Sequence, residues 1–226
     1  MLALVFIILV VGAVVYYKQT AGSDNAKMVK ELTRGKNPVQ TDVITYFTRY
    51  GCGAKTITDD QYYGIVANAR SQYNSMQKAL NKIGLDEDEV REIPPVYFEG
   101  FRFNNAYAKK TVNGRWVSST YELTWLFFSD SQVHVYRCRF NLDDDNKKEI
   151  TDEYFYKDIT SFTTISEEET TRDGQKIPTD TFKMRGAGID FECSLTEMRD
   201  FETSIRGMKQ KPVSYTHLTL PTSPKV

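Results

Sequence analysis

YELTWLFFSDSQVHVYRCRFNL, residues 121–142, decides the fold. Tyr121, Leu123, Trp125 and Phe127 alternate along one face of an extended chain, and Tyr136, Cys138, Phe140 and Leu142 share another, with Ser129-Asp130-Ser131 as turn residues between them. Side chains of a strand point alternately to its two faces, so a period of two sustained over this length predicts two long strands with apolar core faces.

The texture is the same on either side. Short aromatic and β-branched runs predict about seven antiparallel strands, near 97–103, 107–112, 115–128, 132–142, 149–168, 177–185 and 189–193. Asn104-Asn105, Asp143-Asp144-Asp145-Asn146 and Asp173-Gly174 separate them, and Asn113-Gly114 predicts a hairpin with a type I′ turn, positive φ at both central residues. Ser194 and Glu197 have capping-box spacing, and Leu195, Met198, Phe201, Ile205 and Met208 form an apolar stripe, so a helix is expected to close the β portion.

Upstream, residues 39–93 have helical periodicity. Val43, Ile44, Phe47 and Tyr50 mark a short helix ended by Gly51-Cys52-Gly53. Thr58 with Gln61 is a capping box, and Tyr62, Val66, Ala69, Tyr73, Met76, Leu80 and Ile83 follow at alternating spacings of four and three until Gly84. This seam predicts one continuous helix packed on its helical neighbour. Pro94-Pro95 then marks the boundary with the β region at 94–212.

A run of about seven strands followed by one amphipathic helix resembles the pleckstrin-homology-like (PH-like) family. The local likeness to its bacterial members runs through Leu126-Phe127-Phe128-Ser129-Asp130, Val133-His134-Val135-Tyr136 and Tyr154-Phe155-Tyr156-Lys157-Asp158-Ile159-Thr160-Ser161. The resemblance implies an α+β fold with two curved antiparallel sheets forming a barrel plugged by the C-terminal helix. Family members often hold anionic lipid headgroups with basic residues on early hairpins, which points to Arg102, Lys109, Lys110 and Arg115 as lipid- or partner-binding residues here.

Leu2 to Tyr17, LALVFIILVVGAVVYY, carries no charge and predicts a short transmembrane anchor, ~24 Å of helix against a ~30 Å hydrocarbon core. No basic segment precedes it, whereas Lys18, Lys27, Lys30, Arg34 and Lys36 against Asp24 and Glu31 follow, a net of +3 that places the body in the cytoplasm of a single-pass cell-membrane protein. Residues 18–38 then read as a juxtamembrane linker. Three widely spaced cysteines, Cys52, Cys138 and Cys193, suit a reducing compartment. At the other end, Val213 to Thr222 back-translate to GTC TCT TAT ACA CAT CTG ACG CTG CCG ACG, which resembles a sequencing-library adapter, so residues 213–226 are expected to be an artefact and the native chain to continue past Pro212.

With 29 basic against 30 acidic residues and 40% hydrophobic residues, the chain lacks the basic excess of a nucleic-acid binder and the low hydrophobicity of a disordered one. No reaction is legible. His134 and Cys138 point the same way on one strand but belong to a core face, and Asp143 to Asn146 lack the glycine of a calcium loop, Lys148 standing in its place. Gly186-Ala187-Gly188 opens no helix that could cradle a phosphate. No catalytic residue, metal site or cofactor is therefore expected. The functional expectation is a non-enzymatic membrane-anchored module that recruits a protein or anionic lipid; the alternative is the anchor and regulatory module of an enzyme continuing beyond residue 212.

Overall fold

The computed structural model describes residues 10, 24–50, 55–74, 76–86, 88 and 94–198. After helical residues 24–32, the helices α1 (Pro38–Thr48), α2 (Asp59–Tyr73) and α3 (Met76–Ile83) precede nine strands among the described residues. These are β1 (Val96–Arg102), β2 (Ala108–Lys110), β3 (Trp116–Ser118), β4 (Thr120–Phe128), β5 (Gln132–Asn141), β6 (Lys147–Phe155), β7 (Ile159–Thr170), β8 (Lys176–Gly186) and β9 (Ile189–Ser194). All pairings are antiparallel, in sheets of order β1-β4-β5-β6, β2-β3 and β7-β8-β9.

β4 is buried along nearly its whole length because it is covered on both faces. Tyr121, Leu123 and Phe127 pack with Val43, Tyr46, Tyr62, Val66 and Leu80 of the helices. Leu126 and Phe128, pointing the other way, join Phe182, Met184, Phe191 and Cys193 of the β7-β8-β9 sheet. The two alternating runs of residues 121–142 prove to face the same layer: Tyr121, Leu123 and Trp125 lie directly opposite Phe140, Cys138 and Tyr136.

The helical layer is set by local chemistry. Asn37 and Thr58 each close a capping box, with Gln40 and Gln61, and Pro38 occupies the first turn of α1, where its missing N–H is no loss. Asn25, 3% exposed within helical residues 24–32, donates to Thr48 O (2.8 Å) and accepts from Tyr50 N (3.1 Å), so its one amide holds the end of α1. Tyr46 stacks on Tyr62 at 4.6 Å, and the Tyr62 hydroxyl donates to Ser118 O, tying both helices to β3.

Charges sew the two large sheets together. Glu122, 1% exposed, accepts from Arg139 Nε (3.0 Å) and Nη2 (2.7 Å) on the neighbouring strand and from Ser194 N (3.1 Å) at the end of β9. Arg102 Nη2 lies 3.0 Å from both Glu169 Oε1 on β7 and Glu192 Oε1 on β9, and Lys183 Nζ bridges Glu167 (2.8 Å) and Glu192 (3.1 Å). Where β1 crosses the chain leaving β9, a Cβ on Gly100 would collide with the Ser194 and Thr196 side chains and the Thr196 backbone.

Several expectations are corrected. Among the described residues no helix is long and apolar enough to cross a membrane, which overturns the expected transmembrane element of the fold; apart from Val10, the apolar run at 2–17 lies outside the described residues. The seven expected strand segments become nine strands. Residues 115–128 break at Ser119, whose N–H turns to Tyr107 O (2.9 Å), and 149–168 are divided by a 3-10 turn, Tyr156–Asp158. The seam from Tyr62 to Ile83 is interrupted at Asn74, which receives the Trp125 indole N–H (3.2 Å), so α2 and α3 are separate helices packed on the sheet. Asn113-Gly114 does form a hairpin, but only Gly114 has positive φ (78°), and the turn is closed by Gly114 N to Thr111 O (2.9 Å) and Thr111 N to Arg115 O (2.8 Å). Thr171 to Gln175 repeats the same turn around Gly174. Ser194 accepts from Thr196 N (3.4 Å), but Glu197 pairs with Arg115 instead of closing a capping box; Phe201, Ile205, Met208 and residues 213–226 lie outside the described residues.

Gly100→Ala is expected to lower stability by about 1–3 kcal/mol, the usual penalty of overpacking, whereas Gly64→Ala, at a helical position with no atom within 4 Å of the new Cβ, should raise it by about 0.5–1 kcal/mol. Urea unfolding of the two variants checks the opposite signs. Glu122→Gln should cost about 1–2 kcal/mol, since water screens part of the partly exposed Arg139 charge, and Glu122→Leu should cost about 1–3 kcal/mol more by leaving Ser194 N without an acceptor.

Candidate functional site

A groove of about 710 Å3 lies between α1, α2 and the end of the β5–β6 hairpin. Its floor comes from helical spacing. Ile65, Ala69 and Tyr73 recur every four residues along α2, beside the buried pair Tyr62 and Val66, and stay half-buried because no described element covers them fully. Val39, 50% exposed at the start of α1, and Phe140 and Leu142 at the end of β5 complete the apolar surface. Tyr73 packs on Phe140 with ring centroids 4.9 Å apart, and Lys147 Nζ sits 5.0 Å from the Tyr73 ring.

The rim is mostly carboxamide: Asn37, Gln40, Asn68, Gln72, Asn141 and Asn146. The two rim carboxylates are engaged by it. Asp145 accepts from Gln40 Nε2 (2.6 Å), while Asp144 accepts from Asn141 Nδ2 (3.0 Å), Asn146 N (2.8 Å) and Asn146 Nδ2 (2.9 Å). The lining includes no Ser, Thr, Cys or His, so it offers no hydroxyl or thiol of those residues and no imidazole base. An amide presents a donor and an acceptor side by side, which is the complement of a peptide group.

Below the groove, Glu149 of β6 fastens α3. Its carboxylate lies 2.8 Å from Lys78 Nζ and 3.5 Å from Lys82 Nζ and accepts from the Tyr136 hydroxyl (2.9 Å). The Lys78 bond, with the Tyr136 hydroxyl assisting, holds its pKa down from 4.5 to about 2. Burial acts in the other direction on Asp143, whose carboxyl is raised above the usual range and whose Oδ2 lies 3.6 Å from Arg172 Nη2.

The basic residues singled out from the sequence do not gather. Arg102 is buried (6% exposed) among glutamates. Lys109 lies with Nζ 3.5 Å from the Tyr46 ring centroid and donates to Tyr46 O (3.2 Å); burial lowers its pKa. Arg115 pairs with Glu197 Oε1 (2.8 Å) beside the Tyr63 ring. Lys110 is exposed near the Trp116 ring. Sequence reasoning missed the groove. Its one available signal was Ile65, an apolar residue beside the Tyr62–Val66 seam, on the same side as Ala69 and Tyr73.

Because the Glu149 pKa is depressed in the folded chain, its contribution to stability is full above about pH 4.5 and is lost as the pH falls towards 2. Protection of the α3 amides from hydrogen exchange, taken relative to the intrinsic rate at each pH, should therefore fall across that window, and Glu149→Gln should show low protection throughout and lose this pH dependence. No family model matches the chain, and no curated protein and no solved structure matches it either.

Proposed function

We propose that the chain is a non-enzymatic binding module whose groove receives an extended peptide segment of a protein partner. The observation that carries this is the pairing of an apolar floor with a carboxamide rim. Ile65, Ala69 and Tyr73 offer a surface for one or two apolar side chains, and Asn68, Gln72 and Asn146 stand where a backbone would need donors and acceptors. The volume, about 710 Å3, falls within the ~300–1,000 Å3 of ordinary ligand sites. The engaged aspartates leave little net charge to select a strongly ionic ligand. The four-plus-three division of the long strands supports, for the β portion, the resemblance to PH-like domains, a fold that hosts many functions and does not by itself choose among them. The groove is lined only by residues between 37 and 147, so its use does not depend on the apolar run at 2–17.

Ala69→Arg places a long cation across the floor from a half-buried position, so the fold should survive. A random peptide library selected on the full chain should yield ligands with one or two apolar residues. Their affinity should fall at least tenfold on Ala69→Arg, about 1.4 kcal/mol or more. Selected peptides that bind the variant as tightly as the parent would place binding elsewhere.

A further inference from the structure

On the opposite face of the β1-β4-β5-β6 sheet from the groove, β5 and β6 set three cations side by side. Arg137 lies directly opposite Ile150, and Arg139 opposite Lys148, and these four residues alone line a cleft of about 60 Å3. That is far below the ~300 Å3 of the smallest drug-sized sites and suits a single compact ion.

Both guanidiniums are held from the interior. Arg137 donates through Nη1 to Glu192 O (2.8 Å) and lies 5.5 Å from the Phe191 ring centroid, which leaves Nε and Nη2 unused among the described residues. Arg139 spends Nε and Nη2 on Glu122, which leaves Nη1. Lys148 is exposed and makes no ion pair among the described residues. Of the carboxylates near this face, Glu122 is taken by Arg139, Glu192 is taken by Arg102 and Lys183, and Asp152, next along β6 on the same side, interacts with Tyr154. Three cations against Glu122 and Asp152 leave a charge of +1 around a cleft without a carboxylate in its lining.

We propose that this cleft is a binding site for a phosphate dianion. Arginine forks whose orientation is already set bind tetrahedral oxyanions through paired N–H donors, and a free lysine adds a mobile charge. Because Arg137 also bonds the β9 backbone, an occupied cleft ties β5 and β6 more firmly to the second sheet. Binding to the folded state alone raises thermal stability. The same chemistry is presented by free phosphate and by the phosphomonoester of a lipid headgroup. The site is independent of the groove and stands or falls separately from it.

Lys148→Glu is the decisive variant, since the side chain is exposed and without a partner, and the fold should be unaffected. With the full chain at low ionic strength, calorimetric titration with inorganic phosphate should show one site per chain, with the thermal midpoint rising on saturation. Lys148→Glu should weaken the affinity at least tenfold and leave the midpoint without phosphate unchanged. In parallel, phosphatidylcholine vesicles with and without phosphatidic acid separate the two sources. Retention on phosphatidic acid vesicles that free phosphate displaces and Lys148→Glu abolishes assigns the site to a headgroup. Phosphate binding without such retention assigns it to the free ion. Absence of binding to both probes, or binding that Lys148→Glu leaves unchanged, overturns the proposal.

Discussion

Glu122 is the constraint around which the two large sheets are arranged. A carboxylate 1% exposed is tolerable only if charge and hydrogen bonds surround it, because taking an ion out of water carries a penalty of several kcal/mol. Arg139 supplies the charge from the adjacent strand, and Ser194 N supplies a bond from the end of β9. Those partners lie on different sheets, so satisfying Glu122 fixes where β9 meets β4. Arg102 makes the same demand from β1 and is met by Glu169 and Glu192. A polar interlayer of this kind adds less to net stability than an apolar one, but it specifies one relative placement of the sheets.

The opposite face of β4 obeys a different logic. There the contacts are aromatic and aliphatic, with Tyr46 and Tyr62 stacked above Phe101 and Tyr121. Hydrophobic burial is non-directional, so the helices need separate devices to hold their register: the Tyr62 hydroxyl on Ser118 O, Asp59 accepting from the Tyr46 hydroxyl (2.6 Å) and from Val112 N (2.8 Å), and Arg70 on Glu99. The groove lies where α1 and α2 meet the end of the β5–β6 hairpin, and its rim combines capping and turn residues with Asn68 and Gln72 of α2.

The two candidate sites thus arise on opposite faces of one strand. Phe140 points to the groove and Arg139 to the cationic cleft, a consequence of the two-residue period of β5. Each site also borrows from an element distant in sequence: α1 and α2 for the groove, Glu122 and β9 for the cleft.

What could be read along the chain was whatever depends on neighbours within a few residues. The alternation at 121–142, the capping box at Thr58 and Gln61 and the turns at Gly114 and Gly174 are local, and each appears as the residues dictate, apart from the turn type. Breaks within apolar runs were not legible. Ser119 and Asn74 interrupt a strand and a helix because Tyr107 O and the Trp125 indole claim their polar groups, and those partners come from elsewhere in the fold. Arg102 read as a surface cation for the same reason: nothing near it in sequence reveals that Glu169 and Glu192 will surround it. Propensity and periodicity are short-range and therefore written in the sequence, whereas the burial of a charge and the shape of a groove depend on which distant segments meet, and only the tertiary structure decides that.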